Sequence, residues 1–585
     1  MWGPSPTMLK KRWIADQVHL FIDGDAGAIV YRFRGNFDEV GFLPYDVTNL
    51  AYFLPGRERA VVVGAGGGRD VLSAAFFGLT EITAVELNPI LVDLQTKKNG
   101  LMSFTNLAAI RGVRFVADEG RSWLARSRES FDVIQMSLVD TWAATGAGAF
   151  TLSENGLYTV DAWKIFLGRL TPKGVLAVSR WYEPASPDET GRMVSLAVAT
   201  LIEMGVREPR RHLFLAAQQN IATLVLSKSP LSAGDLEALE KATASYEHEI
   251  LISPHREPAS SVLSRIVSAP DLAALNSYTS SLPFDLTPPT DARPFFFNQL
   301  PLSHPIQALA FARGVLATTA EGGGVRRGNL VATVTLLILF VIALGLVSAA
   351  LIIPLRSALN DVGVRYVTYG TLYFSLIGAG FMMIEIGLLQ RMSIFLGHPV
   401  YSLSVLLSTL ILSTGVGSFL SEKLPLQSTS RLVIWGVTTG AYAIALPFVL
   451  GPLFVALNDA ELPTRIALCV ALIAPVGVLL GFGFPTGMRL IAAIDPRPTP
   501  WFSGINGAAG VLASIIAVAL SLALGIGATL VLGALCYLFL IPVSLALLRP
   551  REGSDQKNLQ GPSLGAAKES RSRQRYRHGS LRRQV

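Results

Sequence analysis

Charge and cysteine are what this sequence has least of. Only 16% of its 585 residues are Asp, Glu, Lys or Arg, against about 25% in an ordinary soluble chain, so a wholly soluble protein is excluded. The two cysteines, Cys469 and Cys536, lie in long apolar runs. They exclude a disulfide framework, a zinc knuckle and a CxxC redox pair, and no metal site is expected. The 53 glycines and 33 prolines follow no fixed period, which excludes a collagenous or disordered chain. Net charge is +7, and residues 549–585 alone hold ten Lys/Arg against Glu552, Asp555 and Glu569. The rest of the chain is therefore neutral overall, so the basic balance is no sign of a nucleic-acid face on the folded part. The tail reads as a disordered cytosolic end beside anionic lipid, an RNA-binding tail being the other reading.

What the sequence does have, from Asn329 onward, is apolar runs of membrane-spanning length. Seven are expected, near 330–354, 367–390, 399–420, 432–457, 465–488, 504–524 and 526–548. Lipid cannot satisfy backbone groups, so these are read as helices. Lys10, Lys11 and Arg12 are not followed by a long apolar core, so no leader is expected and the soluble half is expected to stay in the cytosol. Seven crossings then conflict with the positive-inside tendency, because Arg356, Arg365, Lys423, Arg431, Arg489, Arg497 and the tail fall on the far side. The stretch Gly380–Pro399, interrupted by Glu385, Gln390, Arg391 and His398, is the candidate for a broken or re-entrant segment. Its polar residues read either as a Glu385–Arg391 packing pair or as a substrate or ion site. Gly415, Gly417, Gly504, Gly507 and Gly510 are expected to allow close helix approach.

The chemistry is expected in the first 300 residues. Val18–Phe33, with Asp23-Gly24-Asp25 as its turn, reads as a β-hairpin that could act as a lid. Strand-like runs at Arg59–Val63, Glu81–Glu86, Val113–Ala117, Phe131–Met136, Gly174–Arg180 and Asn220–Ser227 alternate with helical patterns, predicting a parallel sheet with helices on both faces. The first strand runs into Gly64-Ala65-Gly66-Gly67-Gly68-Arg69-Asp70, a turn in which glycines let backbone approach a ligand. Glu86 ends the next strand, placed to accept both ribose hydroxyls of an adenosine ligand. Dinucleotide binding would want a third glycine where Arg69 stands, and the spacing of Gly64, Gly66 and Gly68 fits S-adenosyl ligands better. Asp118 is read as the acceptor of the adenine amino group, with Glu119 as the alternative. Asp140, after the fourth strand, falls at the carboxyl edge of the sheet, and Ala143–Phe150 reads as a loop that could close over substrate. Helix capping and plain connection are the competing readings of these two.

At these residues the sequence resembles the spermidine/spermine synthase (polyamine aminopropyltransferase) family, in its bacterial form fused to a multi-span region. The resemblance covers about residues 15–300, and Pro289–Asn298 and Phe381–Gly397 are similar to the fused members. It implies a Rossmann-like, class I S-adenosylmethionine-dependent transferase domain with a small N-terminal β-hairpin region. Decarboxylated S-adenosylmethionine would be the donor, Glu86 its ribose ligand, Asp118 its adenine contact and Asp140 the base that orients and deprotonates an amine. Two family carboxylates are replaced, by Gly67 in the loop and by Ser137 three residues before Asp140.

The expected organisation is a β-rich segment over 1–50, the Rossmann-like domain over 51–300, a linker over 301–328, a membrane domain over 329–548 and the tail. Gly64, Gly66, Gly68, Asp70, Glu86, Asp118 and Glu119 are expected to bind the donor, Asp140 to catalyse, and Ser137, Glu154 and Tyr158 to line the acceptor side. The leading function is aminopropyl transfer at the inner membrane, with a small amine and the lipid bilayer as partners. The family's soluble members imply a homo-oligomer. The alternatives are a methyltransferase using intact S-adenosylmethionine, and a transporter or sensor whose nucleoside-binding domain no longer turns over.

Overall fold

The computed structural model of the chain describes residues 2–11, 13, 15–22, 26–139, 154–184, 188–300, 302, 324–349 and 363–548. Asp140, the loop 143–150, the hairpin turn 23–25 and the tail 549–585 lie outside the described residues.

Strands β1 (Gln17–Ile22) and β2 (Ala26–Tyr31) pair antiparallel as the expected hairpin. Eight further strands, β3 (Arg59–Val63), β4 (Glu81–Glu86), β5 (Val113–Ala117), β6 (Phe131–Ser137), β7 (Leu170–Trp181), β8 (Leu213–Gln218), β9 (Ile221–Ser227) and β10 (Glu249–Ile252), form one sheet. Its order is β10-β8-β9-β7-β6-β3-β4-β5. The valine run of β3 is buried on both faces, with Val61 and Val62 at 0% exposure, as a central parallel strand requires.

Pairing is parallel from β5 through β7, but β9 runs antiparallel to β7, and β8 and β10 continue that pattern. The expectation that Asn220–Ser227 extends a parallel sheet is thus corrected. Only Gln219 and Asn220 separate β8 from β9, a link that permits a hairpin and no crossover. The segment before the sheet is less β-rich than expected. After the hairpin come the 3₁₀ turns Phe37–Val40, Leu43–Tyr45 and Val47–Phe53. Val47, Leu50 and Ala51 pack into the core under the sheet, so a boundary at residue 50 cuts through a packed element.

Among the described residues, six helices are long and apolar enough to cross a membrane: Val364–Leu396, Pro399–Lys423, Thr429–Ala456, Leu462–Ala492, Thr499–Leu524 and Ile526–Leu548. The first of the seven expected runs forms helix Gly324–Val347, of which Thr333–Val347 is the apolar part among the described residues. Gly380–Leu396 is unbroken and belongs to the continuous 33-residue helix Val364–Leu396, about 50 Å long at 1.5 Å per residue and so longer than the bilayer's apolar core. Within the expected stretch the chain turns only at Gly397 and His398, before the next helix starts at Pro399. The interruption falls elsewhere, at Phe482, between Leu462–Gly481 and Gly483–Ala492. Gly417 and Gly510 stand at close helix approaches, with Val478 O 2.0 Å and Met382 Cγ 3.3 Å from where a Cβ would be. Gly415 and Gly507 do not, since a Cβ at either would meet nothing within 4 Å.

The end of Val364–Leu396 that projects from the membrane half meets the α/β half. Asn298 Nδ2 donates to Thr333 Oγ1 at 2.8 Å, Ile526 N to Ala292 O at 2.9 Å, and Arg293 Nε to Leu522 O at 2.8 Å. The motif Pro289–Asn298 is therefore the seam between the two halves.

Candidate adenosyl-binding site

Strand order reverses at β3, which lies between β4 and β6, and in open α/β sheets ligands bind beyond the carboxyl ends of the strands at such a switch point. A cavity of about 430 Å³ opens there. Its floor is the glycine turn. Gly64, Gly66 and Gly68 have φ of +73°, +49° and +83°, values that side chains with a Cβ adopt only at a cost. Gly68 also caps helix Arg69–Phe76, with Leu107 Cδ1 2.2 Å from where its Cβ would stand. The hairpin lies over this turn. Gly27, Ala28 and Ile29 line the cavity, and a Cβ on Gly67 would be 2.5 Å from Ile29 O.

Glu86 is 8% exposed and borders the cavity. Its Oε2 accepts from Gly66 N at 2.8 Å and its Oε1 from Asn88 N at 2.9 Å. Each oxygen keeps a lone pair, so the carboxylate is fixed in place and can still accept from a diol. Asp70 also borders the cavity, but its Oδ1 is held by Arg69, whose other arm reaches Asp46 Oδ2 at 3.0 Å. Asp46 is buried. Burial pushes its carboxyl up, but Arg69 together with the backbone N–H groups of Thr48 and Trp2 outweighs this, so it lies below the usual carboxylate range.

Of the two acids after β5, Glu119 lines the cavity and Asp118 does not. Asp118 is drawn away by an ion pair with Arg126, eight residues ahead at the end of helix Gly120–Arg126. The carboxylate of Glu119 caps helix Gly120–Arg126, accepting from Arg121 N at 2.8 Å and Ser122 N at 2.7 Å. Ser137 lines the wall, with its hydroxyl accepting from Gln135 Nε2. Leu138 follows in a left-handed conformation, φ +55°, which is strained backbone at the point where the chain leaves the sheet beside the cavity. Tyr158 is not a cavity residue. It is 0% exposed, stacks on Phe296 at 4.6 Å and donates to Val139 O at 2.7 Å, because its ring belongs to the apolar core.

Glu154 does face the cavity, and the neighbour that completes it is a membrane helix. Ser393, Ile394, Gly397 and Pro399 form that wall, and Ser393 donates to the Glu154 carboxylate. Burial holds the Glu154 carboxyl above its ordinary value, the serine only partly offsetting this. Gly397, with φ +72°, closes the helix against the Glu119 cap, and Ser122 Oγ lies 2.7 Å from the position of its missing Cβ. Arg465 donates to Ser122 Oγ at 2.9 Å and to Phe395 O at 3.0 Å. Beneath lies a buried ion pair, Arg121 with Asp291, bonded through both arms at 2.8 and 2.6 Å. Arg391 donates to Asp291 O, not to Glu385, so the expected Glu385–Arg391 pair is replaced. Nothing in the α/β sequence announces Ser393 and Ile394 as site residues. The similarity of Phe381–Gly397 to fused proteins was the one available signal.

The strand order, glycine turn and acidic end of β4 define a Rossmann-like α/β domain, joined to a helical domain with the length and apolarity of a multi-pass membrane region. Neither protein-family models nor curated proteins match the chain. Among solved structures it is similar to a spermidine synthase in complex with the transition state analogue AdoDATO, with 13% identity, covering 39% of this chain and 85% of that one, at TM-score 0.23. It is similar to the spermidine synthase from Thermotoga maritima, with 12% identity, 38% and 84% coverage and TM-score 0.23. It is also similar to human methyltransferase-like protein 13 in complex with SAH, with 18% identity, 34% and 90% coverage and TM-score 0.24. Likenesses this weak carry no argument about the reaction.

Proposed function

We propose that the chain is a membrane-anchored transferase that moves an aminopropyl group from decarboxylated S-adenosylmethionine to an amine. The observation that supports this most is Glu86, held by Gly66 N and Asn88 N at the end of β4 beside the glycine turn, in the position of a ribose acceptor. Asp70, Glu86, Glu119 and Glu154 line the cavity against the guanidiniums of Arg69 and Arg121, a balance that suits a sulfonium and an ammonium. In this reading the amine nitrogen attacks the methylene carbon next to sulfur. The C–S bond breaks, its electron pair stays on sulfur as a neutral thioether, and the amine proton passes to a carboxylate. That base is assigned to Asp140, next in the chain after Val139 of the cavity wall. Glu154 serves the acceptor side, and alignment supplies most of the acceleration. The catalytic half is proposed to face the cytoplasm, where the donor is made.

Methyl transfer from intact S-adenosylmethionine is the second reading, and one observation favours it. The backbone at Ile29 fills the space beside Gly67, and Asp70 is turned to Arg69, so the loop offers the aminopropyl ammonium little free carboxylate. Calorimetry on the purified chain with both donors separates the readings, together with putrescine turnover by wild type and Asp140→Ala. Tighter binding of the decarboxylated donor, with turnover lost in the variant, is expected. Preference for the intact donor overturns aminopropyl transfer in favour of methyl transfer.

A further inference from the structure

The seam between the two halves holds a second cavity, of about 320 Å³. It lies between the first turn of helix Val160–Gly168 and the ends of Val364–Leu396 and Thr429–Ala456. Arg121 and Ile394 border both this cavity and the adenosyl-type site. Its charged residues sort by partner. Arg121 is neutralised by Asp291 through both arms, and Glu203 by Lys164 at 2.8 Å. Arg391 and Asp161 are left over.

Arg391 gives one arm to the Asp291 carbonyl and pairs with no carboxylate among the described residues. Its Nη2 lies 3.2 Å from where a Cβ on Gly451 would be, so the missing side chain leaves room beside the guanidinium. Asp161 Oδ2 accepts from Asp291 N at 2.9 Å, and no cation pairs with it among the described residues. Both residues are half-buried, and their remaining polar atoms are not sealed inside the protein. Burial and the Asp291 charge push the Asp161 carboxyl up, so a cation arriving there would relieve a repulsion. The N–H and C=O of one residue are less than about 4 Å apart. Both groups are bonded to Asp291, which therefore holds guanidinium and carboxylate within about 10 Å without pairing them. That span suits an ammonium and a phosphate two carbons apart, with a hydrogen bond at each end. The Asn458 side chain also borders the cavity and has N–H groups to offer an anion.

The position favours a lipid, since helix ends that meet a polar domain lie at headgroup level. Val455 of the cavity wall is 65% exposed, and Phe448, 70% exposed, stands seven residues before it. With Pro452 they fall at i, i+4 and i+7, one exposed apolar face of Thr429–Ala456 that runs from the cavity along the membrane.

We propose that the seam cavity binds the headgroup of a zwitterionic aminophospholipid, its phosphate on Arg391 and its ammonium on Asp161. A soluble ester of phosphate and ethanolamine has the same charges but nothing to cover the face from Phe448 to Val455. A purely anionic headgroup leaves Asp161 unpaired, and a choline headgroup brings no N–H to donate. The inference does not depend on which group the adenosyl-type site transfers.

The test is native mass spectrometry of the full chain in detergent, titrated with dioleoyl-phosphatidylethanolamine, -phosphatidylglycerol and -phosphatidylcholine. Phosphatidylethanolamine is expected to bind saturably and about tenfold tighter than the other two, the effect of one charge-assisted hydrogen bond. Asp161→Asn keeps the bond from Asp291 N and should erase the preference for phosphatidylethanolamine over phosphatidylglycerol. Gly451→Leu, which grows into the cavity beside Arg391, should melt as the wild type does and still lose phosphatidylethanolamine. Free phosphoethanolamine at the lipid's concentration should not displace it. Equal binding of the three lipids, or a preference that survives unchanged in both variants, overturns the proposal. Displacement by the free ester at that concentration would overturn the lipid assignment in favour of a soluble ligand.

Discussion

Glu86 and Glu154 show how one residue type does two jobs according to its surroundings. Glu86 is pinned by two backbone N–H groups, so its charge is satisfied before any ligand arrives and no reorganisation is needed on binding. Glu86→Gln keeps the shape but loses the charge-assisted bonds, and donor affinity measured by calorimetry is expected to fall about 10- to 100-fold. Glu154 is instead held above its ordinary value by burial. Because the folded state favours the protonated form, the stability this contributes is fully present below the unfolded carboxyl value. It is lost as pH rises through the raised folded value. Glu154→Gln is therefore expected to melt about 1–3 °C higher than wild type at neutral pH and to lose that advantage in acid. A thermal scan at both pH values checks it, and an equal gain in acid would remove burial as the cause.

Between elements, the decisive contact is the one joining helix Gly120–Arg126 to the seam and to the membrane helix above it. Asp291 accepts both arms of Arg121, takes Thr159 Oγ1 at 2.8 Å, and gives its own carbonyl to Arg391. Burial raises the Asp291 carboxyl, and Arg121 with Thr159 and Arg391 together more than offset this, holding it low. Beside it Asp161 is pushed up by burial and by the Asp291 charge. Removing one partner leaves a buried guanidinium uncompensated, so Asp291→Ala is expected to cost about 3–5 kcal/mol. Limited proteolysis should then cut the α/β half away from the membrane half faster than in the wild type. Unchanged proteolysis would mean that the seam is held by other contacts. The same helix carries the Glu119 cap against which Gly397 is packed, so donor binding should weaken in the same variant.

At the scale of the whole molecule, the spanning helices have two unlike ends. At the end facing the α/β half, the turns at 397–398, 457–461 and 525 contain no Lys or Arg. At the opposite end stand Arg365, Lys423, Arg431, Arg489 and Arg497, with Arg365 bonded to Ala546 O and Tyr366 to Asp495 O. Positive-inside bias acting alone places that arginine-bearing end in the cytoplasm. The cytoplasmic placement proposed for the catalytic half rests on donor supply and runs against this bias, which makes topology a sharp test. Gln427→Cys is expected to react with an impermeant maleimide on intact cells, and Lys98→Cys only after permeabilisation. Cys469 and Cys536 are buried and should stay silent. The reverse pattern would overturn the placement and remove the cytosolic donor from reach.

Local chemistry made part of this protein legible in advance. Glycines at 64, 66 and 68 are required by positive φ, the valines of β3 by burial on both faces, and Glu86 by the end of the next strand; each is a short-range constraint written into adjacent residues. The long apolar runs likewise announce helices, because a chain in lipid must bond its own backbone. The tertiary structure decided what depends on distant partners. It turned β9 antiparallel, drew Asp118 to Arg126, and put Tyr158 in the core. It also brought Ser393 and Ile394, more than two hundred residues downstream of Glu154, to the wall of the adenosyl-type cavity. Those outcomes follow from packing between the two halves of the molecule, where a side chain's role is set by the surface it meets rather than by its neighbours in sequence.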